Sequence, residues 1–270
     1  MSPYLNLVQV EYFFKEEKIR LDPNPSMLDM GNMGNFFKKT YASCERFFSG
    51  YFSQLLISLI LLFIFRPYDR GHLYMAIWEL FLVCVFLSAI FNCDHSKKVK
   101  IATTYIGIPA LAFEWINLIY KSEILSLCFL FFTIIFVFIA TASIIKKVII
   151  NARVRIETLR GVVCAYFMVA FGFAFTFFFL ALLLPGSFHF NNLDPGILTH
   201  GYFLSEMMYF SFVTLLGIGY GDIIAVHDFA QTLAILEGII GQFYIAILVS
   251  RLVAVYSFFE HKLHLVSKKK

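Results

Sequence analysis

Residues 214–222 read TLLGIGYGD, with glycine at every second position from Gly217 through Gly219 to Gly221. Glycine enters backbone with φ > 0 at little steric cost. A strand in which alternate residues are left-handed turns successive carbonyls toward one side. A row of such oxygens can replace the water around a dehydrated cation. Whether it does so depends on where the strand lies, in water or at membrane depth.

The composition answers for the whole chain. Its 270 residues are 60% hydrophobic, 19% aromatic and 15% charged. A soluble domain carries about a quarter charged residues. The chain therefore reads as an integral membrane protein, with its 34 Phe expected to face lipid. The net charge of +4 is small, and basic residues also set membrane topology. Membrane lipids are the expected surroundings, and no nucleic-acid partner is implied.

Working outward from the glycines, 203–215 (FLSEMMYFSFVTL) is apolar. It is shorter than the roughly 20 residues that cross a bilayer as a helix. It fits a re-entrant half-helix whose partly negative C-terminus points at the glycine strand. The polar stretch 185–202, PGSFHFNNLDPGILTHGY, reads as an external loop. Spans long enough to cross flank this unit at 162–184 and 231–254, and four more precede it at 47–65, 73–92, 101–119 and 124–145. Irregular backbone at membrane depth is tolerated only where it lines water or is buried in protein. The expected fold is an all-α membrane protein of six transmembrane helices. A re-entrant pore helix and selectivity filter lie between the fifth and sixth. One strand supplies one carbonyl per ring, so a ring requires a symmetric oligomer, here a homotetramer.

Of the 22 Lys and Arg residues, all but Arg66, Arg70 and Lys121 fall on one side of this layout. By the positive-inside rule that side is cytoplasmic and holds both termini. The membrane is a plasma membrane or a bacterial inner membrane. The chain divides into a cytoplasmic segment (1–46), a four-helix bundle (47–145), a basic cytoplasmic linker (146–161), a pore domain (162–257) and a short tail (258–270). Residues 1–46 are too polar and acidic for a cleavable signal. Within and just beyond them, 36–48 reads as an interfacial helix or an ordinary lead-in. The tail is too short for a cytosolic ligand-binding domain. The cysteines Cys44, Cys84, Cys93, Cys128 and Cys164 lie outside the expected external loops and lack metal-ligand spacing. Neither a disulfide nor a structural metal site is expected.

The run YFSFVTLLGIGYGDI (209–223) resembles the pore signature of potassium channels, which commonly reads close to YFSxVTLTTVGYGDI. The resemblance covers roughly 200–255. The six-span layout resembles voltage-gated relatives, nearest the small prokaryotic channels with one pore loop per chain. It implies passive K⁺ conduction, no enzymatic activity and no cofactor beyond the permeant ion. By the resemblance, the carbonyls of Gly217, Ile218, Gly219, Tyr220 and Gly221 form the K⁺ filter, with the Tyr220 side chain packed behind it. Asp222 stands at the outer mouth, hydrogen-bonded to Tyr209, and Thr214 supports the filter. Gly241 and Gly238 fall where an inner-helix hinge glycine is usual. Two residues depart from the pattern, since Thr is usual where Gly217 and Leu216 stand. The missing hydroxyl at Gly217 implies a weaker innermost ion site, and the alternative outcome is a non-selective cation channel. On this reading Gly217→Thr tightens inner-site block.

GYGD also satisfies the GxGD motif of intramembrane aspartyl proteases, a remote alternative. That chemistry needs two carboxylates sharing a site, and no other aspartate falls in an expected span. A non-conducting modulatory subunit is a further alternative, tested by whether the purified protein passes ions. A voltage sensor needs arginines crossing the field on one helix, and 124–145 has none, so weak or absent voltage sensing is expected. Glu79, Glu114 and Glu237 lie inside spans, where carboxylates are costly and functional by default. Glu79 and Glu114 face each other, pair with Arg66, or meet water beside Trp78 and Trp115. Glu237 braces the pore helix or shapes the cavity potential. His189, His200 and His227 lie on the external side and read as ordinary loop histidines or proton sensors. The basic linker reads as positive-inside anchoring, with lipid binding as the alternative.

Overall fold

The computed structural model describes residues 51–67, 72–92, 97–120, 122–150, 156–191 and 200–267. The expectations for 1–46, for the helix at 36–48 and for the loop residues 192–199 lie outside them. The elements are α1 (Tyr51–Ile64), α2 (His72–Asn92), α3 (Lys97–Tyr120), α4 (Glu123–Ile150), α5 (Ile156–Leu183), β1 (Phe188–Phe190), α6 (His200–Leu215), β2 (Ile223–Ala225) and α7 (Asp228–Ser267).

Among the described residues, three stretches are long and apolar enough to cross a membrane: Glu123–Val148 in α4, Thr158–Leu183 in α5 and Asp228–Leu248 in α7. Helices α1 and α2 contribute shorter apolar stretches, Phe52–Ile64 and Ala76–Phe91. Helix α3 opens on KKVK and carries Glu114 and an internal Pro109. The result is a predominantly helical membrane protein.

The basic segment 146–161 is not a separate linker throughout. Lys146 and Lys147 belong to the last turns of α4, and Arg160 to the first turns of α5. Arg160 Nη1 donates to Ser53 Oγ (2.8 Å), and Cys164 Sγ donates to Phe52 O (3.4 Å). These bonds fasten the start of α1 along α5. Helix α5 also packs against α4 on one side and α6 on another, and α6 packs against α7.

Phenylalanine fills these seams. Phe63 of α1 and Phe167 and Phe171 of α5 surround Phe212 of α6, with centroids 4.5, 5.5 and 5.5 Å away. Phe86 and Phe136 stack at 4.1 Å between α2 and α4. Among the described residues, thirteen phenylalanines, from Phe52 to Phe212, are buried, so the lipid-facing reading of these residues needs correcting. Lipid tails are as apolar as the side chains, so helix association rests on close packing rather than on escape from water. Flat rings with many contacts suit that task. Several hydroxyls inside the helices bond to the preceding turn, as Thr141 Oγ1 does to Val137 O (2.7 Å) and Thr176 Oγ1 to Gly172 O (2.7 Å). That satisfies these groups without water, whereas buried Thr133 Oγ1 and Ser205 Oγ have no partner among the described residues.

Helix α7 stands apart. Its crossing stretch is 11% buried, against 56% for α5. Ile235, Leu236, Ile239, Phe243 and Ile247 are exposed along it. At 40 residues it is roughly 60 Å long, so it continues as helix through 258–267, where the sequence suggested only a tail.

Candidate functional site

The half-helix α6 ends in a way that builds the glycine strand. An α-helix leaves four C-terminal carbonyls without intrahelical partners. Here Leu216 N donates to Phe212 O (3.0 Å), Ile218 N to Val213 O (2.9 Å) and Gly217 N to Thr214 O (3.0 Å). The fourth, Leu215 O, accepts from Tyr166 Oη of α5 (3.2 Å). The six-to-one and five-to-two bonds, with a left-handed residue between them, form a Schellman cap. Gly217 is that residue, at φ 70°. The departure from the usual Thr thus has a local structural role, because a β-branched residue at this φ is strained. Gly219 at φ 62° and Gly221 at φ 76° continue the alternation. Every residue from Gly217 to Gly221 is exposed in the single chain.

The outer end of the strand is clamped twice. Tyr209 Oη donates to Asp222 Oδ2 (2.7 Å), and Ile223 N donates to Asp222 Oδ1 (3.1 Å). Both carboxylate oxygens therefore act as structural acceptors. Asn191 supplies the second clamp, with Nδ2 donating to Gly221 O (2.9 Å) and its backbone N to Asp222 O (3.0 Å). Asn191 is placed by a ribbon in which β1 pairs antiparallel with β2, Phe188 opposite Ala225 and Phe190 opposite Ile223. The sequence reading took β1 for loop and missed Asn191. The available signal was the alternation FHF, whose outer residues are buried and whose His189 is exposed. Gln231 Nε2 ties β2 to α7 through Ala225 O (3.2 Å). The Tyr220 ring is 68% exposed and lies parallel to Tyr209, centroids 6.5 Å apart.

Tyr209→Phe deletes the donor to Asp222 and nothing else. A hydrogen bond to a charged group contributes about 1.5–3 kcal/mol. The variant is expected to lose that much stability. Thermal unfolding in detergent checks this, and an unchanged melting temperature would contradict it.

The inner end is set by α7. A Cβ on Gly241 would lie 2.1 Å from Leu215 O, whereas one on Gly238 would meet only Thr214 O, at 3.9 Å. Gly241 is thus a close-approach glycine in an uninterrupted helix. Beside it, Glu237 is fully buried. Ser211 Oγ donates to Ala170 O (2.7 Å) and is also within hydrogen-bond distance of Glu237 Oε1. One serine thereby joins α5, α6 and α7 behind the strand. Its Oε2 has no partner among the described residues. Gln242, which the sequence reading did not single out, reaches the strand beside Gly217.

The remaining candidates lie elsewhere. Glu79 of α2 and Glu114 of α3 come within electrostatic range of each other. Arg66 comes within electrostatic range of Glu206 of the half-helix. Trp78 is buried and Trp115 is 62% exposed. His227 Nδ1 accepts from Phe229 N at the start of α7 (3.2 Å). The side chain of His200 lies outside the described residues.

No curated protein matches the chain. Residues 167–257 match the family model described as "Ion channel", a stretch that takes in most of α5, the ribbon, the half-helix, the glycine strand and α7 as far as residue 257; this part of the chain is similar to ion channels, a likeness that points to transport rather than enzymatic chemistry.

Proposed function

We propose that the protein is a potassium-selective channel in which four copies arrange their 217–221 strands around one axis. The observation that carries this reading is the strand itself. It has left-handed glycines at alternate positions, is anchored at both ends, and lies bare on the single chain in the same unit as the largely uncovered helix α7. A symmetric assembly covers both at once. Successive carbonyls on one side of each strand then form rings that replace an ion's hydration shell. The resemblance of 209–223 to the potassium-channel signature supports potassium as the permeant ion.

In this reading the chain crosses the membrane six times with both termini cytoplasmic, in a plasma or bacterial inner membrane. The protein partners are identical copies, and the surroundings are lipid. Permeant K⁺ takes the place of any cofactor.

The deciding experiment is a bi-ionic reversal potential, with purified protein in a planar bilayer between K⁺ and Na⁺ solutions. A reversal far from zero, on the K⁺ side, supports the proposal. A reversal near zero identifies a non-selective cation channel instead, and absence of any cation current overturns conduction. Helix α4 carries no arginine between 124 and 145, and moving charge through the field is what makes opening steep. The conductance–voltage relation is therefore expected to be shallow. A slope requiring several gating charges per subunit would contradict this.

A further inference from the structure

This inference rests on the reading of 217–221 as a cation path and concerns the side chain at its inner end. Gly241 lies against the Leu215 carbonyl and fixes the height of α7 relative to the strand. The next residue, Gln242, then reaches the first glycine of the strand. A Cβ placed on Gly217 would meet Gln242 Nε2 at 2.7 Å and Cδ at 3.8 Å. The carboxamide therefore occupies the volume that a side chain on residue 217 would take.

Its setting calls for a partner. Gln242 is exposed on a helix whose other exposed residues include Ile235, Ile239, Phe243 and Ile247. A carboxamide at membrane depth with nothing to bond to costs free energy. No bond to Gln242 is formed by the described residues of its own chain. Which end of the amide faces Gly217 is an assignment from the surroundings. In either orientation one end stands at the strand and the other is free. A carboxamide oxygen is a neutral hard ligand of the same kind as the filter carbonyls.

We propose that Gln242 supplies the innermost oxygen ligand of the cation path, in place of the side-chain oxygen that Gly217 lacks, and sets the affinity of that position for a cation of potassium's size. In a symmetric assembly each copy contributes one such oxygen.

The test uses the full chain, purified in detergent, with Ba²⁺ as a divalent probe of potassium's size. Gln242→Met keeps the length and removes the amide, and Gln242→Glu keeps oxygen and adds charge. Calorimetric titration is expected to show Ba²⁺ binding weakened roughly tenfold in the first and strengthened roughly tenfold in the second, as for a direct oxygen ligand. Block of bilayer current by Ba²⁺ from the cytoplasmic side is expected to follow the same order. Affinity unchanged in both folded variants, or no Ba²⁺ binding by folded wild type, overturns the proposal. So do variants that shift melting temperature together and leave Ba²⁺ alone, since that marks hydrogen bonding between copies. Should Gln242→Met fail to fold, Gln242→Glu alone decides by the sign of its change. Failure of the conduction reading looks different. Gln242-dependent Ba²⁺ binding without current sustains this site and removes the channel. Selective current with Gln242-independent block does the reverse.

Discussion

Gly241→Ala is expected to unseat α7 from the end of the half-helix α6. The added Cβ would lie 2.1 Å from Leu215 O, 3.0 Å from Leu215 C and 3.1 Å from Leu215 Cδ1. The obstacle is backbone, and that backbone is held in place, because Leu215 O also accepts the Tyr166 hydroxyl. Relief requires α7 to back away from the end of α6 or the half-helix to give up its last turn. Overpacking of a fitted interior costs about 1–3 kcal/mol and occasionally more. With backbone on one side and helix on the other, at least about 3 kcal/mol is expected here. Thermal unfolding and size-exclusion profiles in detergent provide the measurement. Gly238→Ala is the matched control, since its Cβ meets only Thr214 O at 3.9 Å. Replacing glycine by alanine in a helix interior gains up to about 1 kcal/mol, so that variant is expected to be neutral or slightly stabilised. A glycine conserving only flexibility would give the opposite pattern: both variants folded, differing in opening alone. Equal stability of the two would remove the close-approach argument.

Gly217→Thr is expected to damage the strand rather than complete it. The residue resemblance alone suggests that threonine restores an oxygen and tightens inner-site block. The structure opposes this in two ways. Gly217 sits at φ 70° as the cap of the half-helix, and a non-glycine residue held in that region costs about 1–3 kcal/mol. Its side chain would also meet Gln242 Nε2. The second obstacle is the end of a flexible side chain and can move, whereas the first cannot. The expected outcome is a loss of about 1–3 kcal/mol and weaker Ba²⁺ binding. Adding Gln242→Ala recovers only the steric part. Gly217→Asn is expected to retain more stability than threonine, because asparagine is the usual non-glycine residue at such caps. Wild-type melting together with tighter Ba²⁺ binding in Gly217→Thr would show that the left-handed cap is dispensable.

The seams between the helices mark where sequence reading loses its grip. Phe171, Phe175 and Phe177 are buried between helices, while Phe131 and Phe243 are exposed. In the sequence these residues look alike. Hydrophobic periodicity works by contrast between water and core, and a helix between lipid and protein offers no such contrast. The same reason hid Gln242, which is a single polar residue in an apolar run until its distance from Gly217 is known. The ribbon was missed for another reason. β1 and β2 have three residues each, too few for a periodic signal, and each is stable only against the other.

The sequence by itself determined the solvent, the length of the half-helix and the alternation of Gly217, Gly219 and Gly221, because these are local: composition, run length and backbone freedom are properties of contiguous residues. Only the tertiary structure decided that Asn191 and Tyr209 hold the outer end, that Ser211 joins Glu237 to α5, and that Gly241 brings Gln242 to the strand. Each of these depends on a distance between segments far apart in the chain, and such distances are fixed by packing.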